Sequence, residues 1–135
     1  MQSANPDTIC IWRGRTLFLG SLPQSQLHRH SAAAACVGLD GPFRVQEQGV
    51  WRECLSALIP QNVEHNLDSD GPCAVLFMDP ESTGYSRLSE SNACNDSCVI
   101  NFKEAEDLRS VFSSVFRGDV SAALLEEIDR ITFRS

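Results

Sequence analysis

The chain has 135 residues, 42% of them apolar, which suits one domain able to bury a core without staples. Eleven Lys and Arg against 18 Asp and Glu leave a net charge of −7 and a pI near 4.8, which excludes the clustered basic surface that phosphate binding requires. No apolar run approaches the roughly 18–20 residues needed to cross a bilayer, and the polar start, Met1 to Thr8, lacks a basic-then-apolar signal pattern, so the expected compartment is the cytoplasm.

From Ile9 to about Met78 the pattern is all-β, with short apolar runs separated by turn residues at the spacing of a sandwich or barrel. The runs are Ile9–Trp12, Thr16–Gly20, Leu27–Leu39, Phe43–Gln46, Val50–Arg52, Leu55–Ile59 and Ala74–Met78. Arg13-Gly14-Arg15 predicts a tight hairpin, while Asp40-Gly41-Pro42, Glu47-Gln48-Gly49 and Ser69-Asp70-Gly71-Pro72 predict further breaks. Asp79 to Asp96 is rich in Ser, Asn, Glu and Asp and reads as a long exposed linker or crossover.

The rest is helical. Leu108, Val111, Phe112, Val115 and Phe116 follow the i, i+3, i+4 rule for one apolar stripe. Asn101 followed by Glu104 resembles a capping box that opens this helix, and Gly118 supplies a stop. Asp119 or Ser121 then caps a second helix carrying Val120, Leu124, Leu125, Ile128 and Ile131. The two stripes are able to cover a barrel or to pair with a second copy. The division expected is a barrel over residues 1–82, a loop or linker over 83–98 and a helical hairpin over 99–135, all within one structural domain.

Of six cysteines, Cys10, Cys36, Cys54 and Cys73 fall inside apolar, strand-like runs, where a free thiol behaves as a small buried hydrophobe. Cys94 and Cys98 lack the two-residue spacing of a zinc knuckle and have no second pair. The chain holds no phosphate-cradling glycine loop, no Gly-x-Ser-x-Gly and no readable Ser/His/Asp triad.

Three histidines remain. His28 and His30 are two apart on an expected strand and therefore share a face, and His65 follows a later run. Imidazoles brought to one point suit a divalent transition metal. Alternation places Ala32, Ala34, Cys36 and Gly38 on the face of His28 and His30. Small side chains lining a barrel interior leave room for a ligand. Ala33, Ala35, Val37 and Leu39 lie opposite and suit packing against another layer.

His28-Arg29-His30 and Pro60-Gln61-Asn62-Val63-Glu64-His65 resemble the two motifs of the cupins, His-x-His and Pro-x-Gly-x-x-His. Together with Gly38–Val45, Leu58–Pro60, Leu76–Ser82 and the trailing helices, they are most similar to the N-terminal sensory domain of AraC-type transcription regulators. The likeness runs from about Ile9 to Ile131. It implies a mainly β, cupin-like barrel (a double-stranded β-helix) followed by two C-terminal helices. It also implies a small-molecule effector in the lumen, a homodimer through the helices, and DNA contact through a helix-turn-helix domain that does not follow here; this fragment itself is expected to bind neither nucleic acid nor membrane.

The expected ligand-binding residues are His28, His30, His65, Ala34 and Cys36, with no catalytic residue and no cofactor. Ala34 and Ala35 stand where the first cupin motif carries Glu, so the carboxylate ligand of the enzymatic cupins is missing. Asn62 stands for the Gly of the second motif and tolerates a positive φ. The alternative function is a small cupin metalloenzyme, of dioxygenase or isomerase type, with a three-histidine metal site at His28, His30 and His65.

Overall fold

A computed structural model describes residues 8–21 and 32–134. Nine strands and three helices are placed among them: β1 Thr8–Trp12, β2 Arg15–Ser21, β3 Ala33–Gly38, β4 Phe43–Glu47, β5 Val50–Cys54, β6 Ser56–Ile59, β7 His65–Asp68, β8 Pro72–Met78, α1 Thr83–Ser91, β9 Val99–Ile100, α2 Ala105–Phe116 and α3 Ala122–Arg134. The strands form a six-stranded antiparallel sheet in the order β1-β2-β8-β3-β6-β9 and a three-stranded sheet in the order β5-β4-β7. The cupin-like, mainly β architecture expected from the sequence is the one observed, with three helices where two were read.

The turns follow backbone chemistry. Arg13 and Gly14 both take positive φ (48° and 74°), as do Gln48 and Gly49 (53° and 80°). Two successive left-handed residues match the twist of the flanking strands, which makes β1–β2 and β4–β5 tight hairpins. Asn62 also lies at φ 59°, so the turn before β7 survives without glycine.

The six-stranded sheet is covered on both faces, and the period of two divides its residues between two cores. Ala33, Ala35 and Val37 of β3, with Leu17, Leu19, Leu58, Leu76 and Met78, pack against Leu88 of α1, Leu108 and Phe112 of α2, and Ile128 and Ile131 of α3. Ala34 and Cys36 of β3, with Ala57, Ile59, Cys73 and Val75, face Phe43, Val45 and Cys54 of the smaller sheet. The two-faced reading of Ala32–Leu39 therefore holds over the described strand. The sequence stripes of α2 and α3 are spent on the first of these cores: Leu108, Phe112, Val115, Ile128 and Ile131 are all buried within the chain.

Four expectations are corrected. The linker expected over 83–98 contains α1, opened by Ser82, whose hydroxyl accepts from the Tyr85 amide at 3.3 Å. Only Gly84, Tyr85 and Leu88 of this helix are buried, too few apolar residues to display a helical period. The region expected to be purely helical beyond residue 99 starts with β9, which pairs Ile100 with Ala57 and Val99 with Leu58. The Asn101–Glu104 capping box does not form. Asn101 Oδ1 accepts from the Leu55 amide at 2.9 Å, and the Glu104 carboxylate accepts from Ser91 at 3.0 Å and Asn92 at 2.9 Å, so both side chains tie neighbouring elements together. Finally, β7 reads His-Asn-Leu-Asp, too polar for a strand by pattern, and is extended because its backbone pairs with β4. Ser121 does cap α3, accepting from the Leu124 amide at 3.3 Å.

Candidate functional site

Paired residues of neighbouring antiparallel strands point to the same side, so the registers define the inner face of the six-stranded sheet as rows. One row runs Ile11, Thr16, Phe77, Ala34, Ile59; the next runs Ile9, Phe18, Val75, Cys36, Ala57 and Ile100. Each row carries an isoleucine on β1 and one phenylalanine, Phe77 on β8 or Phe18 on β2. Each then meets a small residue on β3, Ala34 or Cys36. The inner face of the smaller sheet contributes Cys54 and Phe43, then Arg52, Val45 and Leu67, then Val50, Glu47 and His65. The two inner faces meet in a core that is apolar apart from Thr16 at one end and Arg52, Glu47 and His65 on the smaller sheet.

His65 is the one of the three singled-out histidines that the structure describes; His28 and His30 lie outside the described residues. His65 is buried, and its Nδ1 lies 2.8 Å from the Val63 carbonyl oxygen, which favours the tautomer protonated at Nδ1. Its cross-strand partner is Glu47. That pairing places a carboxylate in the same row as the histidine, a neighbour the sequence reading missed although Glu47 alternates with Phe43 and Val45. The Glu47 carboxylate is nine-tenths buried and has two tasks. Both its oxygens accept from the Cys98 amide at 3.2 Å, and Oε1 pairs with Arg52 at 3.3 Å. Glu47 thus fastens the 94–98 loop to the sheet.

All six cysteines are unpaired and buried. Four of them, Cys36, Cys54, Cys73 and Cys98, belong to the lumen core. Burial pushes Cys54 and Cys73 up to about 11. Cys98, buried and beside the Glu47 carboxylate, is pushed up to about 12. These thiols are neutral at physiological pH, which suits small hydrophobes rather than nucleophiles. Among the described residues no three His, Cys, Asp or Glu side chains are close enough to hold a metal ion.

Space lies at one end of the inner face. A cleft of about 440 Å³ is bounded by Gly14 and Thr16 of the β1–β2 hairpin, Ala32 at the start of β3, and Phe77, Met78, Asp79 and Pro80 at the end of β8. Thr16, Ala32 and Phe77 are partly exposed there, and Ile9 and Ile11 of β1 are 63% and 75% exposed on the same face. Ala34 adjoins this end in its row, beside Phe77. The cleft is of small-molecule size.

The fold has counterparts among solved structures. The AraC-like transcriptional activator CuxR superposes with a TM-score of 0.58 over 88% of this chain at 11% identity, and this chain spans about half, 49%, of its length. A cupin-2 domain protein from Shewanella frigidimarina (TM-score 0.45, 12% identity, 57% of this chain and 81% of that one) and the cupin-2 domain Rru_A2000 from Rhodospirillum rubrum (TM-score 0.45, 12% identity, 93% and 78%) are also similar. The fold is cupin-like. No protein family and no curated protein matches the sequence. No helix among the described residues is long and apolar enough to cross a membrane.

Proposed function

We propose that this cupin-like domain binds a small molecule at the open end of its barrel and serves as the sensing domain of an AraC-type transcription regulator, with DNA contacted by another part of that regulator. The observation that carries this reading is the inner face itself. Small residues on β3, partly exposed aromatics on β2 and β8 and an adjoining 440 Å³ cleft lie on one side of a sheet whose other side is filled by large side chains. The fold shared with an AraC-like activator over 88% of the chain supports the reading. The neutral, buried thiols add no nucleophile that would favour catalysis. His28 and His30 remain proposed polar contacts, whereas His65, Ala34 and Cys36 are buried and are not among the residues that line this cleft.

A homodimer through the C-terminal helices belongs to the same proposal. With the deep stripe residues committed to the sheet, such a contact would use Phe116, Leu124 and Leu125, which are only partly buried. The test has two arms. Elemental analysis of protein purified without a nickel column is expected to find no transition metal in the wild type. A thermal-shift screen of small aromatic, sugar and acid compounds is expected to find a stabilising effector, since a ligand that binds only the folded state raises its stability by mass action. About one metal per chain, lost in His65→Ala, would overturn the sensing reading in favour of the three-histidine metalloenzyme.

A further inference from the structure

The β1–β2 hairpin divides its residues between two tasks. Gly14 and Thr16 line the cleft. Trp12, Arg13 and Arg15 instead converge on Asp129 of α3. Trp12 Nε1 donates to Oδ1 at 3.3 Å, Arg13 Nη1 lies 3.5 Å from Oδ2, and Arg15 Nη1 lies 2.9 Å from Oδ1. Arg15 also donates to the Thr132 hydroxyl at 3.0 Å, which in turn donates to the Asp129 carbonyl at 2.9 Å. The Arg15 and Asp129 side chains are only 7% and 9% exposed, so this is an interior ion pair, held without the screening that weakens surface pairs. Its packing is close, since a Cβ at Gly84 of α1 would collide with the Arg15 guanidinium.

The two tasks meet at one peptide bond, because Thr16 follows Arg15 and itself lines the cleft beside Phe77, its cross-strand partner on β8. Arg15 and Thr16 point to opposite faces of β2, so a ligand that shifts the β2 backbone at Thr16 would shift the guanidinium on which α3 is seated. A buried ion pair tolerates such a shift poorly, since only close, hydrogen-bonded geometry offsets the desolvation of its two charges.

We propose that occupancy of this cleft is read out by α3 through the Arg15–Asp129 pair, an inference that rests on the sensing reading above. The ligand class that fits is a small molecule with an aromatic or alicyclic body against Phe77, Met78 and Pro80 and a hydroxyl or amino donor towards Asp79. Occupancy loosens α3, and the pair is the element that differs between the two states, as any ligand-driven shift requires.

The test uses a covalent occupant, so no natural ligand is needed. Because the six native thiols are buried, Thr16→Cys introduces one accessible thiol, which N-phenylmaleimide fills with an aromatic group. Hydrogen–deuterium exchange of the α3 amides is then compared with and without the label. Labelling is expected to raise α3 exchange about tenfold when Arg15 and Asp129 are present. It is expected to leave exchange unchanged when the pair is replaced by Arg15→Met with Asp129→Leu, or by Asp129→Asn should that double variant fail to fold. Stoichiometric labelling that changes α3 exchange by less than about twofold, or that changes it equally in the variants lacking the pair, overturns the proposal. A compound screen without hits would sink the sensing reading alone, whereas an effector that stabilises the fold beside an unresponsive α3 would sink this coupling alone.

Discussion

The two faces of the six-stranded sheet are built from the same strands and differ in what they do with volume. On the helix side, Leu17, Leu19, Leu58 and Leu76 interlock with Leu88, Leu108, Phe112, Ile128 and Ile131 and are fully or almost fully buried. On the inner side the central strand offers Ala34 and Cys36, and the aromatics Phe18 and Phe77 stay partly exposed. Close packing fixes the position of the helices, because any void there forfeits dispersion contacts and apolar burial. The inner face is packed around Ala34 and Cys36 with smaller side chains and opens only at the end where Thr16, Ala32 and Phe77 border the cleft. On the sensing reading proposed above, a ligand on one face would reach the closely packed helices on the other through the strands between them.

Four measurements break or sharpen this contrast. Phe112→Ala, on the packed face, is expected to lose about 4 kcal/mol through transfer and cavity terms, read as a lowered urea midpoint with an unchanged slope. Asp129→Ala leaves the Arg15 guanidinium buried without its carboxylate and is expected to lose about 3 kcal/mol, whereas Arg15→Met with Asp129→Leu stays within about 1 kcal/mol of wild type; equal losses would show that packing alone holds α3. Ala35→Leu and Ala34→Leu introduce the same side chain on opposite faces of β3. The first should lose about 2 kcal/mol by overpacking and the second under about 1 kcal/mol, and a reversed order in thermal melts would mean that the inner face has no room.

The thiols give the smallest effect per group. Cys54, Cys73 and Cys98 stay protonated in the folded state up to about 11, 11 and 12, against an ordinary value of 9.0. Between these limits the unfolded chain has released protons that the folded chain retains. Stability is therefore full below pH 9 and falls as pH rises through the window from 9 to about 11 or 12. Each thiol adds a slope of at most about 1.4 kcal/mol per pH unit. A flat stability profile across that window, or rapid reaction of the native thiols with a disulfide reagent at pH 8, would contradict their burial.

Alternation made the two faces of Ala32–Leu39 readable in advance, and the dipeptides Arg13-Gly14 and Gln48-Gly49 announced their hairpins. The helical stripes of α2 and α3 were equally plain. What stayed hidden shares one physical cause. The helix α1 and the strand β7 have too little apolar content to show a period, and each exists because a neighbour completes it: a serine cap and the helix-side core for α1, the β4 backbone for β7. The Asn101–Glu104 spacing misled because a capping pattern states only that a bond is available, and here Leu55, Ser91 and Asn92 take those side chains instead.

The sequence by itself determined the strand-rich body, the helical end, the free and buried character of the strand cysteines, and the shared inward face of Ala34 and Cys36, because these follow from periodicity and local backbone preference. Tertiary structure alone decided that Glu47 stands across from His65, and that Arg15 meets Asp129 from the far end of the chain. It also decided that the stripes of both C-terminal helices are consumed by the sheet. The first two of these join residues 18 and 114 positions apart. At such separations local preference carries no information, and the order of the strands in the sheet determines who is a neighbour.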